Sequence, residues 1–140
     1  MRDAMRLHEW RRELPATLEA VEQFCVEFHR WRAETCAGLN AFAAELLLRE
    51  ALNNSVIHGC LSDARKRISC SVRAWPDRLV IAIRDEGQGF DWRSFWNRRG
   101  EPAETHGRGV EILRRYASLV RFNRAGNSVT LVKRFEAKSI

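Results

Sequence analysis

Two pairs of short strand-like runs, each pair joined by a turn-forming tetrapeptide, constrain this chain more than any other feature. Ile68–Ala74 and Leu79–Arg84 read as two strands joined at Trp75-Pro76-Asp77-Arg78, which predicts a hairpin. Leu119–Asn123 and Ser128–Phe135 repeat the arrangement across Arg124-Ala125-Gly126-Asn127. A short turn delivers the second strand of each pair beside the first, so the pairing must be antiparallel. A weaker alternation over residues 6–13 suggests an additional edge strand.

Between these runs the apolar period changes from two to between three and four. Pro15 opens a helical pattern carried by Leu18, Val21, Phe24/Cys25, Phe28 and Trp31. A second helix is expected from Asn40, a good N-cap, to Gly59, a good C-terminal stop. A third runs over Arg108–Ser118, and residues 86–107 read as irregular chain. No linker, repeat or low-complexity tract divides the 140 residues, so residues 1–140 are expected to form a single domain. The order predicts an α+β, two-layer α/β sandwich with a mostly antiparallel, mixed sheet and its helices on one face.

Composition narrows the class. The chain is 45% hydrophobic and 30% charged, which suits a folded soluble domain rather than a disordered one. No apolar run nears the roughly 18 residues of a membrane span, and Met1-Arg2-Asp3-Ala4-Met5-Arg6 lacks a signal core. Cys25, Cys36, Cys60 and Cys70 form no Cys-x-x-Cys pair, which points to reduced thiols in a cytoplasmic protein. Net charge is +6, contributed mainly by arginines spread along the chain. That spread reads first as dispersed solubility, ahead of a nucleic-acid footprint. It suits an acidic protein partner or a nucleotide's phosphates equally well.

Three features carry chemistry. Glu50, Asn54 and His58 are spaced by four on the second helix, so successive members differ by about 40° around its axis. Glu45, Arg49 and Asn53 fall on what reads as the solvent side. Polar groups lined up on a largely apolar face need partners wherever they are buried, and a hydrogen-bonded helix end would account for the stripe equally well. Second, Val80-Ile81-Ala82-Ile83-Arg84 leads into Asp85-Glu86-Gly87-Gln88-Gly89-Phe90. A carboxylate at a strand end can accept from an amino group such as a purine's, and glycines let the backbone approach a flat ligand. An ordinary strand-exit turn would look similar. Third, Gly107-Arg108-Gly109-Val110 precedes a helix, where exposed N–H groups and the helix dipole favour an anion.

Each motif is weak alone, but their order and spacing together resemble the ATP-binding fold shared by gyrase, MutL and the sensor histidine kinases, the Bergerat fold of the GHKL superfamily. Within it the chain looks most like the short anti-sigma factor serine/threonine kinases of the RsbW and SpoIIAB type. The likeness runs from the Pro15 helix to Phe135. It implies that Asn54 holds a magnesium ion bridging the phosphates of ATP, and that Glu50 orients or deprotonates the attacking hydroxyl as the catalytic residue. It implies that Asp85 is read by the adenine amino group, with Gly87 and Gly89 shaping the base pocket. Gly107, Arg108, Gly109 and Val110 match the phosphate-side lid hinge and helix start. Ser128 falls where relatives carry a threonine near the adenine, and His58 closes the helix motif. Ser55 replaces the usual alanine and Asn53 a frequent threonine. The Trp- and Arg-rich lid, about 91–106, matches no family pattern; its arginines would reach a γ-phosphate or contact a partner.

The resemblance implies an ATP-binding regulator in a partner-switching system, which sequesters a sigma factor and phosphorylates a small STAS-type anti-sigma factor antagonist. It also implies a homodimer joined through the N-terminal strand or first helix, with no direct contact to nucleic acid or membrane. The alternatives are a non-catalytic ATP-binding module, a detached histidine-kinase catalytic domain, for whose dimerising helices the chain has no room, and a basic nucleic-acid binder.

Overall fold

Trp10 and Leu14 hold strand β1 (His8–Pro15) on the core while Glu9, Arg11 and Glu13 stay in solvent, in a computed structural model that describes residues 7–35, 41–97 and 108–135. Pro15 does not open a helix. It closes β1 opposite Arg67, at the outer edge of the sheet, where a missing N–H costs no ladder bond. The helix start is set by Thr17, whose Oγ1 accepts the Ala20 N–H at 3.1 Å. Helix α1 (Leu18–Thr35) then buries Val21, Phe24, Cys25, Phe28 and Arg32, while Leu18 in its first turn stays exposed.

Helix α2 (Ala41–Asn54) buries Ala44, Leu47, Leu48, Ala51 and Leu52. Its expected cap Asn40 lies outside the described residues. Glu45, Arg49 and Asn53 do not form a solvent side; all three are half-buried. The reason is α1, which packs along that seam: Glu45 pairs with His29 and lies 3.7 Å from Arg32, and Arg49 pairs with Glu22. The exposed positions of the helical run are Phe42 and Ile57 instead.

Past Asn54 the helix widens into a π-helical turn over Ser55–Gly59, in which Ser55 C=O accepts the Cys60 N–H at 2.8 Å. The helical run ends at Gly59, as expected, but not through a left-handed glycine. The capping residue Cys60 is right-handed (φ −94°, ψ −3°), and the left-handed residues are Leu61 and Ser62.

Strands β2 (Arg67–Trp75) and β3 (Arg78–Asp85) form the expected hairpin, with Trp75 opposite Arg78. The following chain is not wholly irregular: Trp92–Asn97 is a short helix, α3, whose N-terminus Asp91 caps by accepting the Ser94 N–H at 3.2 Å. Helix α4 (Arg108–Tyr116) precedes strands β4 (Leu119–Phe122) and β5 (Ser128–Arg134).

The described strands form one sheet in the order β1-β2-β3-β5-β4, antiparallel at every pairing, so the mixed character expected from the sequence is not seen among them. Helices cover one face, where Ile68, Leu79, Ile81, Ile83 and Leu131 meet Phe28, Leu47, Leu48 and Leu52. No described helix is long and apolar enough to cross a membrane. Cys25, Cys60 and Cys70 are buried free thiols; Cys36 lies outside the described residues.

Candidate functional site

Asp85 ends β3 pointing inward, only 6% exposed. Three neighbouring segments fix it there. Its N–H donates to the Asn127 carbonyl at 2.9 Å, the next N–H, of Glu86, reaches the Arg67 carbonyl at 3.2 Å, and its own Oδ1 accepts the Gly87 N–H at 2.8 Å. The 123–127 turn that supplies Asn127 is itself locked, because Asn123 Oδ1 accepts the N–H groups of Gly126, Asn127 and Ser128 at 2.8, 3.0 and 3.1 Å.

Glycines make the close packing possible. A Cβ on Gly59 would lie 2.8 Å from the Asp85 Cγ, and one on Gly87 would lie 2.7 Å from Asp85 Oδ1 and 2.6 Å from the Gly59 carbonyl carbon. Gly89 (φ +88°) adopts a conformation that disfavours side chains and lies against the Ala125 carbonyl. The family resemblance assigns Gly87 and Gly89 to the base pocket. Sequence reasoning missed that Gly59 serves the same carboxylate.

Between α2, β3, β5 and the 123–127 turn runs a narrow crevice lined by Asn54, Ser55, Asp85, Ser128, Phe90 and Phe122, with Ala51 and Leu113 behind. The structure therefore brings together Asn54, Asp85 and Ser128, from three separate elements. Glu50 lies one turn up α2 from Asn54 and is half-buried, without lining the crevice. His58 follows the π-turn rather than the regular spacing and stacks on Phe90, with ring centroids 5.7 Å apart at 24°. Arg108 and Gly109 open α4; Val110 in its first turn is a packing residue, 1% exposed. Gly107 and the lid beyond residue 97 lie outside the described residues.

Aromatic rings close the lid side of the crevice. Phe122 meets Phe90 edge-on at 6.0 Å and stacks on Trp92 at 5.2 Å and 11°, while Trp96 adds a further edge contact at 6.4 Å. The Trp92 Nε1 is buried with no hydrogen-bond partner among the described residues. Sequence reading noted the tryptophans but not Phe90 and Phe122; their positions beside Gly89 and at the end of β4 were the available signal.

Electrostatics favour ligand chemistry. Burial raises the Asp85 carboxyl above its ordinary pKa, partly offset by the Gly87 N–H and the Lys66 ammonium. Burial likewise raises Glu50, against a smaller opposing effect of Arg49, and raises the Cys60 thiol, which the Asp85 charge pushes further up. A desolvated carboxylate is a strong acceptor for an N–H donor. The donor set thus suits an adenine: a buried acceptor at the base, a hydroxyl at Ser128, an amide at Asn54, and glycines where a flat ring would approach. The crevice as it stands has room for about 10 Å³, roughly one water. Among the described residues no group of three or more His, Cys, Asp or Glu side chains is placed to hold a metal ion.

The sequence profile of the histidine kinase-like ATPase domain matches residues 14–133, which takes in β1's end, both long helices, the Asp85 crevice and β5. No curated protein matches the chain. The match supports the Bergerat-type architecture and ATP as the nucleotide. With Asp85, Asn54 and Ser128 converging on one crevice in this architecture, the chain belongs to the histidine kinase-like ATPase domain family.

Proposed function

We propose that the protein is an ATP-binding serine/threonine kinase of the anti-sigma factor type. In this reading it sequesters a sigma factor in the cytoplasm and phosphorylates a small STAS-type antagonist. The observation that carries the reading is the placement of a half-buried carboxylate, Glu50, one turn from Asn54, which lines the Asp85 crevice. ATP supplies the γ-phosphoryl group. Asp85 accepts from the adenine amino group, with Ser128 beside it, and Gly87 and Gly89 leave room for the ring. Asn54 would hold a magnesium ion, which would neutralise phosphate charge, and the α4 start, with Arg108, Gly109 and the preceding Gly107, would offer backbone N–H groups to the phosphates. Glu50, whose pKa burial raises, orients the acceptor hydroxyl and takes its proton. His58 positions Phe90 at the crevice mouth. A homodimer through β1 or α1 is part of the same proposal; β1 is an outer strand of the sheet.

The test is a radiolabel transfer assay onto a purified STAS-type antagonist, run beside a pull-down of antagonist and sigma factor. Wild type is expected to label the antagonist. Glu50→Gln is expected to lose about 10²–10⁴ in labelling rate while keeping both complexes. Tight ATP and partner binding with no labelling by wild type would instead make the chain a non-catalytic switch.

A further inference from the structure

The arginines that look scattered in sequence are gathered in space. Because strand residues alternate between faces, Arg11, Arg73, Arg78, Arg84, Arg121 and Arg134 all stand on the sheet face that carries no helices, against Glu9 and Glu13. Of these, Arg11 pairs with Glu9 at 3.0 Å and Arg78 with Asp77 at 3.3 Å. Arg73, Arg84, Arg121 and Arg134 have no carboxylate within ion-pair distance among the described residues. The exposed side of α1 is different: it carries Glu19, Glu22, Glu27 and Glu34 with few arginines. Dispersed solubility would not sort the charge this way.

The same face has an apolar strip. Val80 pairs with Val132, and Val132 with Leu119, which is 50% exposed. These three neighbouring strands span about 10 Å, close to the diameter of a helix. Next to the strip a concavity of about 590 Å³ is floored by the small side chains Ser69, Ser71 and Ala82 and rimmed by Arg11 and Arg84. The face has little to stack a nucleobase on: its one aromatic, Trp75, lies under the guanidinium of Arg78 at 4.1 Å and near that of Arg73 at 5.8 Å. Nucleic-acid platforms rely on such free rings, whereas an apolar strip edged by arginine is protein-interface chemistry.

We propose that the helix-free face of the sheet is a docking surface for an acidic amphipathic helix of a protein partner. Its apolar side lies on Val80, Val132 and Leu119, and its carboxylates reach Arg73, Arg84, Arg121 and Arg134. The proposal does not rest on the nucleotide reading, although Ser128 lines both the nucleotide crevice and this concavity.

The experiment titrates the full chain, followed by backbone amide NMR, with a helical peptide of about 18 residues bearing Leu on one side and Glu on the other. The Lys-for-Glu peptide and a single-stranded oligonucleotide of equal charge to the acidic peptide are run in parallel. Binding of the acidic peptide alone, with shifts confined to β2, β3, β4 and β5, is expected. Arg73→Glu and Arg121→Glu are each expected to weaken it about ten-fold, while Arg30→Glu on α1 and the affinity for ATP show no change. No binding, tighter binding of the oligonucleotide, or a dimer in sedimentation that Arg73→Glu or Arg121→Glu disperses would overturn the proposal.

Discussion

The carboxylate of Asp85 rests on the α-carbon of Gly59, so close that a methyl group there would sit 2.8 Å from the Asp85 Cγ. The end of the motif helix and the end of β3 are therefore a single packed unit, and the helix can approach the strand only without a side chain at position 59. Gly59→Ala is expected to displace the carboxylate or the helix end, costing about 1–3 kcal/mol of folding stability through overpacking. Chemical denaturation measures the loss, and calorimetry should show ATP affinity falling with it. Unchanged stability and affinity would mean that the unit is looser than this contact requires.

Asp85 is expected to cost the protein stability at neutral pH. Burial raises its pKa above the ordinary 3.8, so the folded state prefers the protonated form. Its favourable contribution is complete below 3.8 and is lost as pH rises through the shifted value. Asp85→Asn keeps an acceptor for the Gly87 N–H and removes the buried charge. The variant is therefore expected to melt no lower than wild type near neutrality and to lose that advantage in acid. Its ATP affinity is expected to fall by about 1–3 kcal/mol, because the adenine amino group loses a charged acceptor. A scan of melting temperature against pH for both proteins, with calorimetry at neutral pH, checks both halves.

Asn54 separates the base from the phosphates. If it holds the metal, Asn54→Ala should weaken Mg-ATP by about ten-fold or more and leave adenosine nearly unaffected, since only the former needs the ion. Side-by-side titrations with the two ligands read this directly. Equal losses would place Asn54 on the base side of the crevice, where its lining position beside Asp85 also allows it.

Much of this was legible in the chain, and the gaps have physical causes. Short apolar runs and the turn chemistry between them predicted both hairpins, and Asp85 stood out as a carboxylate after an apolar strand. The helix–helix seam was misread because Glu45 and Arg49 look like solvent residues until α1 supplies His29, Arg32 and Glu22 as partners. Gly59 was read as a helix stop, and the helical run does end there, but periodicity says nothing of a strand 26 positions later, whose Asp85 needs the space. The arginine face was invisible for the same reason: residues such as Arg73, Arg84 and Arg121 become neighbours only once strand register is fixed.

The aromatic wall should report the arrival of a nucleotide. Phe122 lines the crevice and stacks on Trp92 at 5.2 Å, while Phe90, on the same crevice, stacks on His58. With room for only about 10 Å³, the crevice is expected to open through these rings, and Trp92, half-buried with its Nε1 covered and its ring stacked on Phe122, would then change its surroundings. Tryptophan emission is therefore expected to change on adding ATP. Trp92→Phe should abolish most of that change while preserving binding, because Phe can keep the stack on Phe122. Trp10, Trp31 and Trp75 are remote from the crevice lining and should contribute little. Phe90→Ala removes half of the wall and is expected to raise the rate of ATP association several-fold, since the ring no longer has to be displaced first. Stopped-flow fluorescence with wild type, Trp92→Phe and Phe90→Ala measures both effects. Because Trp96 also meets Phe122 edge-on at 6.4 Å, only an emission change that survives in Trp92→Phe and Trp96→Phe together would locate the moving element elsewhere. An association rate unaltered by Phe90→Ala would show that the crevice opens without moving that ring.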